Sequence, residues 1–323
     1  MRVFERRGAR REVNVETSSI KAKWDADREC RRLLAEGWIR VGGEAVELAS
    51  QPELIAALHA NPEDIDTYAI FADWLSEHGD PWGLLMAVQI AIAQLPRHSR
   101  DSGLRRKELD REETRLRYLH AARIWGSLGE QIVDEATQRY ASDLVEAEWF
   151  CGFVRSARID EEVIDRFAAL DVSQLLQALE LRATEWKRTT LDLLAKTRWP
   201  ELQSLKITTA VRARPLADAR SIVPAFEAMP KLIELAVHGS HSTDGLCIAL
   251  AANPIAARLE RLDLTGCQFT DQGIRALASG HLRLRELRIG GIGPDDARSV
   301  LAGVAKTVTV LFGPLDYEDE EEE

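Results

Sequence analysis

Leu259-Glu260-Arg261-Leu262-Asp263-Leu264-Thr265-Gly266-Cys267-Gln268-Phe269-Thr270-Asp271-Gln272-Gly273-Ile274-Arg275-Ala276-Leu277 is the stretch on which the fold turns. Leu262 and Leu264 alternate, so both point to one face of a short strand. Ile274, Leu277 and Ala278 then form a helical apolar stripe. One strand and one helix cannot bury such faces alone, so units of this kind must stack. The pattern recurs as Leu176/Leu179/Leu181, Leu202/Leu205/Ile207, Leu232/Leu235/Val237 and Leu284/Leu287/Ile289, with successive starts 26, 30, 27 and 25 residues apart. Weaker copies flank it at Val154/Ala157/Ile159 and over residues 307–312, and both read as terminal caps. The slot of Cys267 is filled by Thr184, Ser240 and Ile292 in other copies, and Gly290-Gly291-Ile292-Gly293 reads as a tight strand-to-helix connection.

The quoted unit resembles the ribonuclease-inhibitor-like class of leucine-rich repeats, in which an Asn or Cys at the position of Cys267 satisfies the turning backbone. The expected fold is α/β: a short leucine-rich-repeat solenoid over residues 148–315, with parallel strands on the concave side and helices outside, preceded by an α-helical domain.

Upstream, helical periodicity runs over residues 51–60 and again over Ile65, Tyr68, Ala69, Phe71, Ala72 and Leu75. Asn61-Pro62 and Asp80-Pro81 both read as a helix cap followed by Pro at the first helical position, and Gly79 as the residue past a helix end. A third helix is expected from Pro81 to about Leu95, a linker to Gly103, a charged helix over 104–124, and a further helix from Ser127 to about Ala147. Residues 53–64 and Phe71-Ala72-Asp73-Trp74-Leu75-Ser76-Glu77-His78-Gly79-Asp80-Pro81-Trp82-Gly83 resemble the bacterial repeat-companion domain, known for an ANPxD…YADWLxExGDPxG signature ahead of leucine-rich-type repeats. Tyr68-Ala69 stand where that family has Arg-Leu, and Leu84-Leu85 where it has a Glu. The resemblance implies a helical domain over 46–147 of a bacterial cytoplasmic protein, and no catalytic activity. Within it Trp74 and Leu75 are expected in a core, and Asp73 on a helix end or turn. Residues 27–41 are similar to the last helix and closing strand of WGR domains, which implies a small α/β remnant over 1–45.

The net charge of −11 is mostly the tail, residues 316–323, whose seven carboxylates leave −4 over the rest. Such a tail reads as a solvated, disordered end. No apolar run reaches membrane-spanning length, and no signal peptide is evident. The four cysteines lack metal or redox spacing and fit a reducing cytoplasm. Phosphate-loop, HExxH, GxSxG and EF-hand patterns are missing from the sequence, and His238, His241 and Asp244 would need further ligands to hold a metal. No catalytic residue, metal or cofactor is expected.

If the strand leucines face the core, the intervening residues face solvent. That register nominates Glu180, Arg182, Lys206, Glu234, His238, Arg261, Asp263, Thr265, Glu286 and Arg288, with Thr208, as a partner-binding face. Its mixed charge suits a polar protein better than a phosphate backbone, which wants Lys and Arg. The expected function is a non-catalytic protein–protein interaction module, an adaptor, sensor or regulatory component of a bacterial signalling or defence system. One alternative is nucleic-acid binding through residues 1–45, where 11 Lys/Arg in 1–40 face seven Asp/Glu, and through the 104–123 helix, whose interleaved Glu108, Asp110, Glu112 and Glu113 favour an ordinary charged helix. The other is a regulatory subunit of an enzyme complex.

Overall fold

The computed structural model describes residues 2–6, 9–13, 39–40, 52–96, 100–129, 133–134, 139–140, 144–183, 188–209, 225–239 and 243–312. The expectations for the 27–37 helix, for Thr184, Ser240 and His241, and for the acidic tail lie outside these residues. The chain opens with β1 (Arg2–Arg6), β2 (Ala9–Val13) and β3 (Ile39–Arg40), an antiparallel sheet in the order β2-β1-β3. Helices α1 (Pro52–Ala60), α2 (Ile65–Glu77), α3 (Pro81–Gln94), α4 (Arg100–Leu119) and α5 (Ala121–Trp125) follow.

Local chemistry sets these helix ends. Asp64, not Asn61, caps α2: its carboxylate accepts from the Asp66 amide (3.2 Å) and the Thr67 hydroxyl (2.6 Å). Asn61-Pro62 is spent on the preceding turn, where Tyr68 donates to the Pro62 carbonyl at 3.0 Å. Asp80 caps α3 through the Trp82 amide, with Pro81 in its first turn and Gly79 left-handed (φ 75°) before it. Asp73 is exposed and its side chain makes no hydrogen bond among the described residues, Leu75 is buried, and Trp74 is half-buried against Phe71 and His78.

The described residues of 127–147 do not form the single helix expected there. The chain makes a short 3-10 turn (Gly126–Leu128), the two-residue strands β4 (Val133–Asp134) and β5 (Arg139–Tyr140), and then β6 (Val145–Phe150). Val145, Ala147 and Trp149 recur at the period of two that suits a strand, and β6 pairs antiparallel with β7 (Phe153–Asp160). Beyond β7 come α6 (Ile164–Ala168), β8 (Ala178–Ala183), α7 (Arg188–Lys196), β9 (Ser204–Thr209), β10 (Glu234–His238), α8 (Asp244–Ala252), β11 (Arg261–Gln268), α9 (Asp271–Ser279), β12 (Leu284–Ile292), α10 (Ala297–Val300) and β13 (Ala305–Phe312).

Strands β6 to β13 form one eight-stranded sheet in strict chain order, parallel from β7 onward. The leucines align across it: Ala157, Leu179, Leu205, Leu235, Leu262, Leu287 and Val308 share one row, and Ile159, Leu181, Ile207, Val237, Leu264, Ile289 and Val310 lie two residues on. From β7 to β12 both rows are buried, and their core also takes Leu191, Leu194, Leu246, Cys247, Leu250, Ile274 and Leu277 of the helices. At β13 the cover ends, and Val308 and Val310 are only half-buried.

The helical unit packs on the β6–β7 hairpin. Cys151 and Gly152 turn the hairpin with positive φ (49° and 93°), and the Gly152 carbonyl accepts from the Trp82 indole at 2.8 Å while its amide donates to Gln89 at 2.7 Å. Tyr68, Phe71 and Trp82 close on Phe153 with ring centroids 5.9, 6.4 and 4.9 Å away. The helices and the sheet thus share one continuous core.

One expectation within the sheet is corrected. Gly290 and Gly291 belong to β12 and do not form a turn, and Gly291, not Ile292, stands beside Cys267. A register shift between Leu264 and Cys267, with Gly266 at φ 71°, gives β11 one extra residue there. Ile292 is consequently half-exposed, at 51%. Gly291 has φ 118°, and a Cβ on it would collide with the Cys267 carbonyl and lie 2.9 Å from its amide nitrogen. Because both obstacles are backbone, Gly291→Ala is expected to cost roughly 2 kcal/mol in urea unfolding; Gly303→Ala, where nothing lies within 4 Å, serves as the near-neutral control.

Candidate binding face

The alternation that buries the leucines places all ten nominated residues on the opposite, solvent-facing side of the sheet. Burial along β8 and β10 alternates strictly, and β11 follows it as far as its register shift. Cross-strand register arranges the face in three rows. The first runs Ser156, Ala178, Ser204, Glu234, Arg261, Glu286, Thr307; the second Arg158, Glu180, Lys206, Ala236, Asp263, Arg288, Thr309; the third Asp160, Arg182, Thr208, His238. Thr265 continues the third row beside Gly290 and Leu311.

Within the second row Glu180 sits between two cations, 3.2 Å from Lys206 Nζ and 3.2 Å from Arg158 Nε. Burial alone would raise its carboxyl pKa; the hydrogen bonds and charges of Lys206 and Arg158 outweigh it and hold the pKa below the usual range. Arg158 and Arg182 both reach Glu146 of β6, at 3.1 and 3.6 Å, and Arg182 also meets Asp160 at 2.8 Å. Arg261 pairs with Glu234, Arg288 with Glu286 at 2.6 Å, and His238 Nε2 with Asp263 at 3.3 Å. Glu146 and Arg158 were not nominated as members, because β6 read as helix and β7 as a cap.

Every cation of these three rows therefore meets a carboxylate on its own or a nearby strand. Counting Glu146 and Glu148 of β6, seven carboxylates outnumber the five Lys and Arg. The side chains remain accessible, from 20% at Glu180 to 54% at Arg288. At that exposure each pair adds only about 0.2–1 kcal/mol to folding, so the ladder orients charge more than it stabilises.

Asp263 is the most perturbed acid. Burial would raise it, but hydrogen bonds from His238 and from the Thr265 amide and hydroxyl bring it from 3.8 down to about 2. A depressed folded pKa means that this contribution to stability is fully present above about pH 4 and is lost as pH falls toward 2. A carboxyl-resolved NMR titration is expected to place the Asp263 midpoint near 2, and to move it up toward 3.8 in Thr265→Ala/His238→Ala.

Burial pushes the Cys151 thiol up to about 12 and raises that of Cys247 further, so neither is poised as a thiolate. Cys267 donates to the Val237 carbonyl at 3.2 Å, near the end of β10. Among the described residues no three His, Cys, Asp or Glu side chains converge to hold a metal, and no helix is long and apolar enough to cross a membrane. In α4, Arg105, Arg115 and Arg117 pair with Glu108, Glu112 and Glu113 along the helix.

No family model matches this chain, and no curated protein matches it. Among solved structures, a crystal structure of a protein from Bacteroides fragilis aligns at 16% identity and a TM-score of 0.37, over 46% of this chain and 49% of that one. The chain thus spans about half the length of that protein.

Proposed function

We propose that residues 148–315 are a short leucine-rich-repeat solenoid and that the chain is a non-catalytic module binding a protein through the open face of β7 to β12. The helical unit ahead of it is read as the repeat-companion element. The observation that carries the reading is the charge ladder: cations and carboxylates alternate across adjacent strands on one accessible face. A partner docking there must exchange these pairs for its own, which rewards a surface with both signs of charge in matching register. A phosphate backbone would meet an excess of carboxylates and cations already engaged, so nucleic acid is disfavoured on this face. The free thiols Cys151, Cys247 and Cys267 support a reducing compartment, the cytoplasm.

The test is a pull-down from the native host, with the bound protein identified by mass spectrometry and its affinity measured against purified chains. Arg261→Glu/Arg288→Glu is expected to weaken that partner at least about tenfold, with a melting temperature within about 2 °C of the parent, since both arginines are half exposed. Undiminished binding by this variant would remove the face from the proposal.

A further inference from the structure

The large sheet has two edges, and they are finished differently. At β6 the helical unit takes the flank: Trp82 and Gln89 hold Gly152, and Trp149 lies against Trp125 and under the Arg117 guanidinium, at 5.2 and 5.5 Å. At β13 no further strand pairs among the described residues, so alternate backbone N–H and C=O groups face outward. Edge strands are normally blunted by charge, proline, a bulge or brevity. The run Thr307-Val308-Thr309-Val310-Leu311-Phe312 has none of these: it carries no charge and no proline, and it follows β12 without a shift in register. The end unit of a stacked array is expected to present a polar flank. Here Val308 and Val310 are only half-buried on the core side, and Leu311 is 61% exposed on the other.

The edge is also electrically polarised. Arg283 and Lys306 stand where β12 and β13 start, exposed and without an ion pair among the described residues, and neighbouring Arg285 reaches Glu260 at 3.3 Å. Beyond the finish of β12 come Asp295 and Asp296, likewise exposed and without an ion pair among the described residues, against the single cation Arg298. The seven carboxylates of residues 316–323 follow the finish of β13 in sequence. Positive charge thus gathers at the start of the edge and negative charge at its finish.

We propose that β13 is a dimer edge, pairing antiparallel with β13 of a second copy of this chain about a two-fold axis at Thr309. Centring on Thr309 sets Val308 and Val310 of one copy opposite Val310 and Val308 of the other. A centre one residue either way leaves a valine of each copy opposite Lys306 or Phe312. Antiparallel pairing also brings the start of each strand to the finish of the other, so Arg283 and Lys306 meet Asp295, Asp296 and the acidic stretch of the second copy, twice by symmetry. An added strand must supply both the apolar pair and the opposite polarity, and a second copy carries both by necessity. The inference stands apart from the charge ladder, whose pairs lie on the open face of the strands and not along this edge.

Sedimentation velocity on the full chain over a concentration series is expected to show a monomer–dimer equilibrium. Arg283→Glu/Lys306→Glu, which makes both ends of the edge acidic, is expected to weaken the dimer at least about tenfold while the far-ultraviolet circular dichroism is unchanged. Thr309→Cys is expected to give a disulfide-linked dimer on oxidation, because each Thr309 stands opposite its own copy. Lys306→Cys, carried to opposite ends of the paired strands, is expected to give none. A chain that stays monomeric throughout, a dimer unaffected by the charge reversal, or cross-linking through Lys306→Cys in place of Thr309→Cys would each overturn the proposal, the first of them leaving the edge to a strand of another protein.

Discussion

Asp80→Ala is expected to lower unfolding stability by about 4 kcal/mol, because it breaks a helix cap and orphans a charge at once. Asp80 is 5% exposed, and its Oδ1 accepts the Trp82 amide at 2.9 Å. Arg123 grips the same carboxylate from α5, with Nε 3.0 Å and Nη2 2.9 Å from Oδ2, and extends Nη1 to Asp171 at 3.1 Å. The guanidinium also lies 5.1 Å from the Trp82 ring centroid. Loss of the cap alone is worth about 1 kcal/mol; the rest is the largely buried guanidinium left with one half-exposed partner. Asp80→Asn keeps an acceptor for Trp82 but not the charge, so about half the loss is expected. Urea unfolding of the parent and both variants checks the order. A cost below about 1 kcal/mol for Ala would show that Asp171 alone can hold Arg123.

That network marks the limit of what the sequence discloses. Asp80-Pro81 is legible as a cap because Pro at the first helical position is a local signal. The second role of Asp80 depends on Arg123, 43 residues away, and on Asp171 beyond it, and no local pattern encodes such a meeting. The same holds for Glu201, which no local pattern singles out and which the fold brings to His59 across 142 positions. Conversely, the strand leucines were readable one by one, since alternation and a repeat of 25 to 30 residues fix both face and neighbour. The reading failed where that period was locally altered. The extra residue in β11 slips the Cys267 slot from Ile292 to Gly291. β6 was lost because Val145, Ala147 and Trp149 follow a charged stretch with helical composition, and only pairing with β7 selects the strand.

From β8 to β12 the face was legible in membership but not in state. Register alone nominates Glu180, Lys206 and Arg261 as solvent-facing; that each is engaged by a neighbour depends on which residues of adjacent strands stand opposite. Parallel pairing with matched register puts Glu234 beside Arg261 and Glu180 beside Lys206. Opposite charges side by side stabilise a ladder where like charges would repel. The mixed composition read from the sequence is thus a cross-strand arrangement, and it sets the demand on any partner: complementary order of charge, more than amount.

Leu235→Ala is expected to cost about 4 kcal/mol, the upper part of the range for a leucine lost from a core that cannot collapse. Leu235 is 1% exposed in β10, with Leu205 and Leu262 directly beside it in the ladder, both buried. Its neighbours are fixed by strands on both sides, so the void left by three carbons stays open. Val308 occupies the same row at the end of the sheet, paired among the described residues only with Leu287, and is half-exposed. Val308→Ala is therefore expected to cost about 1 kcal/mol, the transfer of two methyl groups only partly removed from water. The contrast separates two architectures. If the units stack into one shared interior, cost depends on the number of flanking strands, and Leu262→Ala and Leu205→Ala behave like Leu235→Ala. Equal, small losses at Leu235 and Val308 in urea unfolding would mean that the central leucines do not share a common core, and the repeat reading would fall with it.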